Sequence, residues 1–302
     1  MEDHVTGTDA TIAFVGLGAI GSPMAARLRA GGHRVLGIDP SPEARARGRE
    51  ADIAVAETIA AAGDAQAVIV MVATPAQLQR LAADAAAAGI GSGQTWVVMS
   101  TVGTEAVASA SAELAAAGAV VVDAPVTGGV ARARTGELAI FAAGEDVALD
   151  EIRPALSLLG AVHRVGREPG AGQAVKVVNQ HLCSVHLAAA AEALALTRQL
   201  GLEPDAVLPL LESGAAGSWM LSDRGRRMLG DPDVEPTSRI DIFVKDSGLV
   251  AQAAQAVGAE TPVLDAARAR YLSAADAGWG ARDDSRVIDT YTAHAAHLRR
   301  GR

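Results

Sequence analysis

The sequence predicts an α/β protein: an N-terminal doubly wound sheet followed by an all-α domain, the two joined by one long spine helix. Three observations carry this. Through the first 166 residues, short β-branched runs alternate with Ala-rich stretches, the signature of strands crossed over by helices. After Gly172 the β pattern stops. Gln173–Leu200 then runs for roughly eight helical turns without a Pro or Gly, ending at Gly201. The predicted boundary is a nucleotide-binding domain over 1–169 and a helical domain over 170–302.

The strands are expected at Thr11–Gly16, Arg34–Asp39, Ala67–Val72, Thr95–Ser100 and Ala119–Val126, with two more at Leu138–Ala143 and Ala161–Val165. They are almost continuously apolar, as strands covered on both faces are. Ser22–Ala30, Ser41–Arg49, Pro75–Ala88 and Thr104–Ala117 are the helices between them, and Pro204–Glu212, Ser218–Leu229, Asp241–Val257 and Pro262–Ala275 follow the spine.

Composition narrows the function. The chain has 302 residues and a net charge of −9, with no basic stripe, which argues against nucleic acid as a partner. The N-terminus, Met1–Ala10, is polar, unlike a secretory signal, and no apolar run reaches the ~18 residues of a membrane span. The single cysteine, Cys183, excludes an internal disulfide and Cys-based metal sites, and no metal is expected. A cytoplasmic protein is the expectation. Arginine is abundant, whereas lysine occurs only at Lys176 and Lys245 and asparagine only at Asn179. An Ala-, Gly- and Arg-rich chain of this kind reflects GC-rich coding that avoids Lys and Asn codons. The residues that withstood that bias are candidates for chemistry, because a guanidinium does not replace an ammonium that must lose its proton.

Gly16-Leu17-Gly18-Ala19-Ile20-Gly21 is GxGxxG, directly after the first strand and opening the first helix. Gly16 permits the tight turn, Gly18 lets the backbone approach a pyrophosphate, and Gly21 lets helix and strand pack closely. Asp39, at the end of the second strand, is placed to accept the adenosine ribose hydroxyls and to repel a 2′-phosphate, and Pro40, Ser41 and Pro42 follow it rather than Arg. The bound cofactor is therefore expected to be NAD in a Rossmann domain, NADP being the alternative. Asp39 as a cap for the helix near Ser41 is the bland reading. Ala73, Thr74 and Thr101 are counted with the cofactor residues.

Asp123–Val130 ends a strand at the carboxyl edge of the sheet, where ligands of open α/β folds bind. There the Thr127 hydroxyl and the N–H groups of Gly128 and Gly129 are able to converge on a carboxylate. Lys176, Asn179 and Gln180 fall at i, i+3 and i+4 of the spine helix and share one face. Burial among Val and Ala would depress the lysine pKa and suit it to proton transfer, with Asn179 and Gln180 holding the ammonium or the substrate hydroxyl. His181, His186 and Cys183 read as packing residues, and Trp219 as pocket or subunit contact.

The chain resembles the β-hydroxyacid dehydrogenase family over about residues 11–290. The resemblance rests on Gly16–Gly21 with Ser22-Pro23-Met24-Ala25, Asp123–Val130 followed by Gly136, the GxGxxxK block Gly170–Lys176 ending in Asn179-Gln180, and Val244-Lys245-Asp246. It implies an NAD(P)-dependent oxidoreductase that acts on a small hydroxy acid and assembles as a homodimer or homotetramer. Lys176, with Asn179, would be the catalytic acid/base set. Thr127, Gly128, Gly129, Gln180 and Lys245 would bind substrate. Thr101 would lie beside the nicotinamide, and Lys245 would reach cofactor and substrate. Two positions depart from the common pattern: Thr127 stands where many members have Ser, and Gln180 where many have a second Asn. The second change argues against 3-hydroxyisobutyrate. The texture of Val175–Leu200, Ser218-Trp219-Met220 and Ile240–Asp246 resembles the L-threonate dehydrogenase branch, so a four-carbon sugar acid such as L-threonate is expected. 3-Hydroxyisobutyrate and tartronate semialdehyde are the alternatives. An imine reductase is disfavoured by Lys176, and a non-catalytic binding protein by the intact glycine turns.

Overall fold

The computed structural model describes residues 10–291; residues 1–9 of the polar N-terminal stretch and the basic end Arg299–Arg302 lie outside them. The chain divides into two compact units, Met1–Lys176 and Val177–Arg302.

The first unit is built on a nine-stranded sheet. Its strands are β1 (Thr11–Val15), β2 (Arg34–Ile38), β3 (Ala54–Ala56), β4 (Ala67–Val70), β5 (Thr95–Val98), β6 (Val120–Asp123), β7 (Val126–Thr127), β8 (Leu138–Ala143) and β9 (Gly160–Gly166). The order is β3-β2-β1-β4-β5-β6-β8-β7, with β9 beside β8. The first six strands pair in parallel; β8 runs antiparallel to β6 and β7, and parallel to β9. Helices α1 (Gly21–Ala30), α2 (Pro42–Glu50), α3 (Pro75–Ala87), α4 (Thr104–Ala116), α5 (Gly129–Thr135) and α6 (Asp146–Ser157) link them. Fully buried β4 and β5 read Ala-Val-Ile-Val and Thr-Trp-Val-Val, the continuous apolar run of a strand covered on both faces.

Two cores lie in this unit. One gathers Ile12, Phe14, Met24, Leu28, Ile69 and Leu156; the other gathers Val68, Leu78, Trp96, Val98 and Leu114. Because the pleat alternates, Phe14 and Ile69 face one core while Ala13 and Val68 face the other.

Most predicted elements form within a residue or two of their expected bounds. The strand expected over Ala119–Val126 ends at Asp123, because Pro125 interrupts pairing, and the chain restarts as the short antiparallel β7. β3, α5 and α6 lay outside the sequence expectation.

α7 (Ala171–Gln199) begins in the first unit and runs into the second, where α8 (Pro204–Glu212), α9 (Trp219–Leu229), α10 (Ile240–Ala256), α11 (Pro262–Asp276) and a 3-10 turn over Asp284–Ile288 complete the fold. Leu187, Leu194, Leu208, Met220, Met228, Phe243, Tyr271 and Val287 form its core. Among the described residues, no helix is long and apolar enough to cross a membrane.

Candidate active site

The Gly16–Gly21 turn leaves β1 and enters α1. Gly16 has φ 97°, and a side chain there would strike the carbonyl of Met71 at the end of β4. Around Gly18, in contrast, an added Cβ would meet nothing within 4 Å. α1 opens without a side-chain cap; within its first turn the N–H of Ser22 donates to the Gly18 carbonyl and Pro23 has none, so the turn offers an anion the positive end of the helix rather than a full set of free N–H groups. These features fit the pyrophosphate of a dinucleotide: open space over the turn and the positive end of a helix.

Asp39 joins this turn directly. Its Oδ2 accepts the N–H of Leu17 at 2.8 Å and its Oδ1 accepts the N–H of Ser41 at 2.8 Å. A carboxylate has about four acceptor positions, so two remain for ribose hydroxyls. The capping role at α2 falls to Ser41, whose hydroxyl accepts the N–H of Ala44. An arginine that linear order does not reveal also lies here: Arg45 Nη1 donates to the carbonyls of Asp39 and Pro40 at 2.8 and 2.9 Å, and its Nη2 lies 3.5 Å from Glu57. Ala73 and Thr74 follow β4, where Thr74 caps α3 and both backbone N–H groups donate to Gln77 Oε1. Thr101 follows Ser100, whose hydroxyl accepts the N–H of Val72 at 2.8 Å.

The start of α7 is fastened to the carboxyl ends of β5 and β6 by a residue the sequence reading passed over. Gln173 Oε1 accepts the N–H groups of Val102 and Gly103, each at 3.0 Å, while its Nε2 donates to the carbonyl of Ser100 and to Asp123 Oδ1. Asp123 Oδ2 accepts the N–H groups of Gly170 and Gln173, both at 2.9 Å. Burial pushes the Asp123 carboxyl above its ordinary pKa, and the hydrogen bonds from Gln173, Gly170 and Gly172 oppose that rise. A side chain at Gly172 would collide with the Phe141 carbonyl and lie 2.9 Å from Asp123 Oδ2. The Gly170-x-Gly172 spacing thus serves this close approach. Lys176 follows Gln173 by three residues and is buried, 5% exposed. Thr127 lies in β7, and Gly128 and Gly129 turn into α5.

In the second unit, Asn179, Gln180, Lys245 and Asp246 form one polar cluster. Asn179 Nδ2 donates to Gln180 Oε1 at 2.8 Å, and Gln180 Nε2 donates to Asp246 Oδ2. Lys245 Nζ lies 2.9 Å from Asp246 Oδ1. Asp246 is therefore the hub, although only its neighbour Lys245 was singled out; the signal was the Lys-Asp pair itself. Both ends of the Gln180 amide are engaged by protein groups. Trp219 is 48% exposed, with the Arg224 guanidinium 5.4 Å from its ring.

Residues 11–185 match the model of the NAD binding domain of 6-phosphogluconate dehydrogenase, and residues 170–291 match that of the NAD-binding of NADP-dependent 3-hydroxyisobutyrate dehydrogenase. An L-threonate dehydrogenase of Escherichia coli K12 is 39% identical over 201 residues, a match that spans 66% of this chain and 66% of that relative. An L-threonate dehydrogenase of Cupriavidus necator is 35% identical over 93% of this chain and 95% of the relative. A solved 3-hydroxyisobutyrate dehydrogenase from Salmonella typhimurium superposes with a TM-score of 0.86 at 34% identity, covering 93% of this chain and 99% of that one. With a dinucleotide turn in the first unit and likeness that extends through the helical second unit, the chain belongs to the β-hydroxyacid dehydrogenase family of NAD(P)-dependent oxidoreductases.

Proposed function

We propose that this chain oxidises a small polyhydroxy acid, foremost a four-carbon sugar acid such as L-threonate, with NAD as cofactor and Lys176 as general acid/base. One observation carries the mechanistic part: the only buried lysine stands three residues from Gln173, which fixes that turn of α7 to the carboxyl ends of β5 and β6. That edge is where open α/β sheets bind their ligands.

A bound nicotinamide would supply the hydride acceptor for the alcohol carbon. The protein supplies the rest. Lys176 accepts the hydroxyl proton as the carbon loses its hydride, and returns it in the reverse direction. The Thr127 hydroxyl and the N–H groups of Gly128 and Gly129 hold the substrate carboxylate. Asn179 and Lys245 supply polar groups for the substrate's remaining oxygens. Gln180, engaged by Asn179 and Asp246, sets the shape of that polar cluster. The domain division of roles proposed here is cofactor binding by 1–169 and substrate binding and self-association by 170–302.

The substrate follows from two supports. A site that presented Asn179 and Lys245 to its ligand would penalise one without hydroxyl groups to pair with them, which favours hydroxyl-bearing acids over branched aliphatic ones. Relatives at 35–39% identity carry the name L-threonate dehydrogenase. Initial rates with L-threonate, D-threonate, D-erythronate, glycerate, tartronate semialdehyde and 3-hydroxyisobutyrate test the reading. The highest kcat/KM is expected on a threonate; the highest on 3-hydroxyisobutyrate would overturn the polyhydroxy assignment.

A further inference from the structure

The carboxyl end of β2 carries Asp39 and belongs to the cofactor region. The amino end of the same strand opens onto a separate cleft of about 590 Å³. Arg29 enters it from the last turn of α1, His33 and Arg34 from the start of β2, and Arg49 from the last turn of α2; Asp52 closes it, over a floor that includes buried Ile53. Five residues of β2 separate the two ends, on the order of 16 Å at strand rise, so a dinucleotide held at Asp39 does not account for this cleft.

Three arginines face one carboxylate here, in a chain whose net charge is −9. Asp52 is already taken: Arg29 Nη2 donates to its Oδ2 at 2.8 Å. Among the described residues, neither Arg34 nor Arg49 has a carboxylate partner. The cleft therefore holds two uncompensated guanidiniums. His33, 8% exposed, lines the same cleft, and its Nδ1 is buried without a hydrogen-bond partner. An orphaned nitrogen in a buried imidazole is uncommon, and a water or a ligand oxygen would satisfy it.

Guanidiniums recognise oxyanions through paired N–H donors, and a cleft of this volume is of metabolite size. We propose that the amino end of β2 is a second ligand site, which takes a small dianion, a phosphate monoester or a dicarboxylate, on Arg34, Arg49 and His33.

The test is calorimetric titration of the full chain saturated with NAD, with inorganic phosphate as one probe and succinate as the other. Saturable binding of at least one probe, with Kd of about 1 mM or below, is expected. Binding of phosphate alone assigns the phosphate class, and binding of succinate alone the dicarboxylate class. In the double variant Arg34→Glu/Arg49→Glu, both positions being exposed, binding is expected to weaken at least about tenfold. His33→Gln should also weaken it, while the His33 imidazole ¹⁵N resonances should shift on titration of the wild type. The site is ruled out by absence of saturable binding to the NAD-saturated chain or by a Kd that survives the double charge reversal.

Discussion

The side-chain amide of Gln173 donates to Oδ1 of the buried Asp123 carboxylate at 2.9 Å, and the backbone N–H of Gln173 reaches Oδ2 at the same distance. One residue thus binds both oxygens of a carboxylate at the end of β6, and its side-chain Oε1 accepts two further N–H groups beyond β5. Gln173→Leu keeps the volume and removes every side-chain bond, stranding the amides of Val102 and Gly103 and half of the Asp123 carboxylate. Leaving such groups unsatisfied costs about 1–3 kcal/mol each, so a loss of at least ~2 kcal/mol in urea unfolding is expected. Gln173→Glu should not rescue it: the acceptor for Val102 and Gly103 is kept, but a second carboxyl oxygen is set against Asp123 Oδ1 and the Ser100 carbonyl, where Nε2 donated. A change below ~0.5 kcal/mol in the leucine variant would show that this anchor does not hold the turn.

The sheet was readable because its information is local: β-branched runs, a glycine turn and Asp39 all fall within one strand–helix–strand stretch. The anchor was not readable, because Gln173 and its partners are about 50 to 73 residues apart and a helix glutamine carries no signal of its own. The same holds in the second unit. Asp283-Asp284-Ser285-Arg286 lies beyond the last predicted helix and drew no expectation, yet Asp284 is fully buried, with Arg224 Nε and Nη2 both 3.0 Å from its carboxylate and Arg227 bridging Asp283. Burial of paired charges depends on a partner 60 positions away, which pattern cannot supply. Lys176, in contrast, stood out by scarcity, and Asp246 was hidden beside the rarer lysine.

Because Lys176 is proposed as the proton acceptor, Lys176→Met should lower kcat by ~10²–10⁴-fold with cofactor binding nearly unchanged. Lys176→Arg should be almost as damaging, since a guanidinium does not give up its proton at working pH. Steady-state kinetics with cofactor fluorescence titration measure both. Substantial activity in the arginine variant would remove the general-base role.

Cofactor choice rests on Asp39 against Arg45. The arginine's donors are directed to the Asp39 and Pro40 carbonyls and toward Glu57, whereas two acceptor positions of the carboxylate stay open. NAD is therefore expected to exceed NADP in kcat/KM, and Asp39→Ser should narrow the ratio by removing repulsion of the 2′-phosphate. A wild-type preference for NADP would refute the assignment.

Val178, Leu182 and Leu196 are exposed on α7, an apolar outer stripe that a helix in water does not ordinarily carry. A second copy of the chain is the expected cover. Light scattering at micromolar concentration should give at least twice the 30.6 kDa chain mass, and Leu182→Glu should shift it toward the monomer. A wild type of single-chain mass would contradict self-association.

His33 makes stability depend on pH in a direction that can be worked out. Burial lowers its pKa below the ordinary 6.5, so below that pH the unfolded chain binds a proton that the folded chain refuses. By linkage, stability falls wherever the unfolded state binds more protons and the pH is lowered. The contribution of His33 is therefore flat well above 6.5 and is lost as the pH drops from 6.5 toward the folded value. His33→Gln cannot take up that proton in either state. Urea midpoints measured at about pH 8 and about pH 5.5 should fall less for the glutamine variant than for the wild type. Equal losses in the two proteins would mean that the His33 ring is not held neutral by its burial at the start of β2.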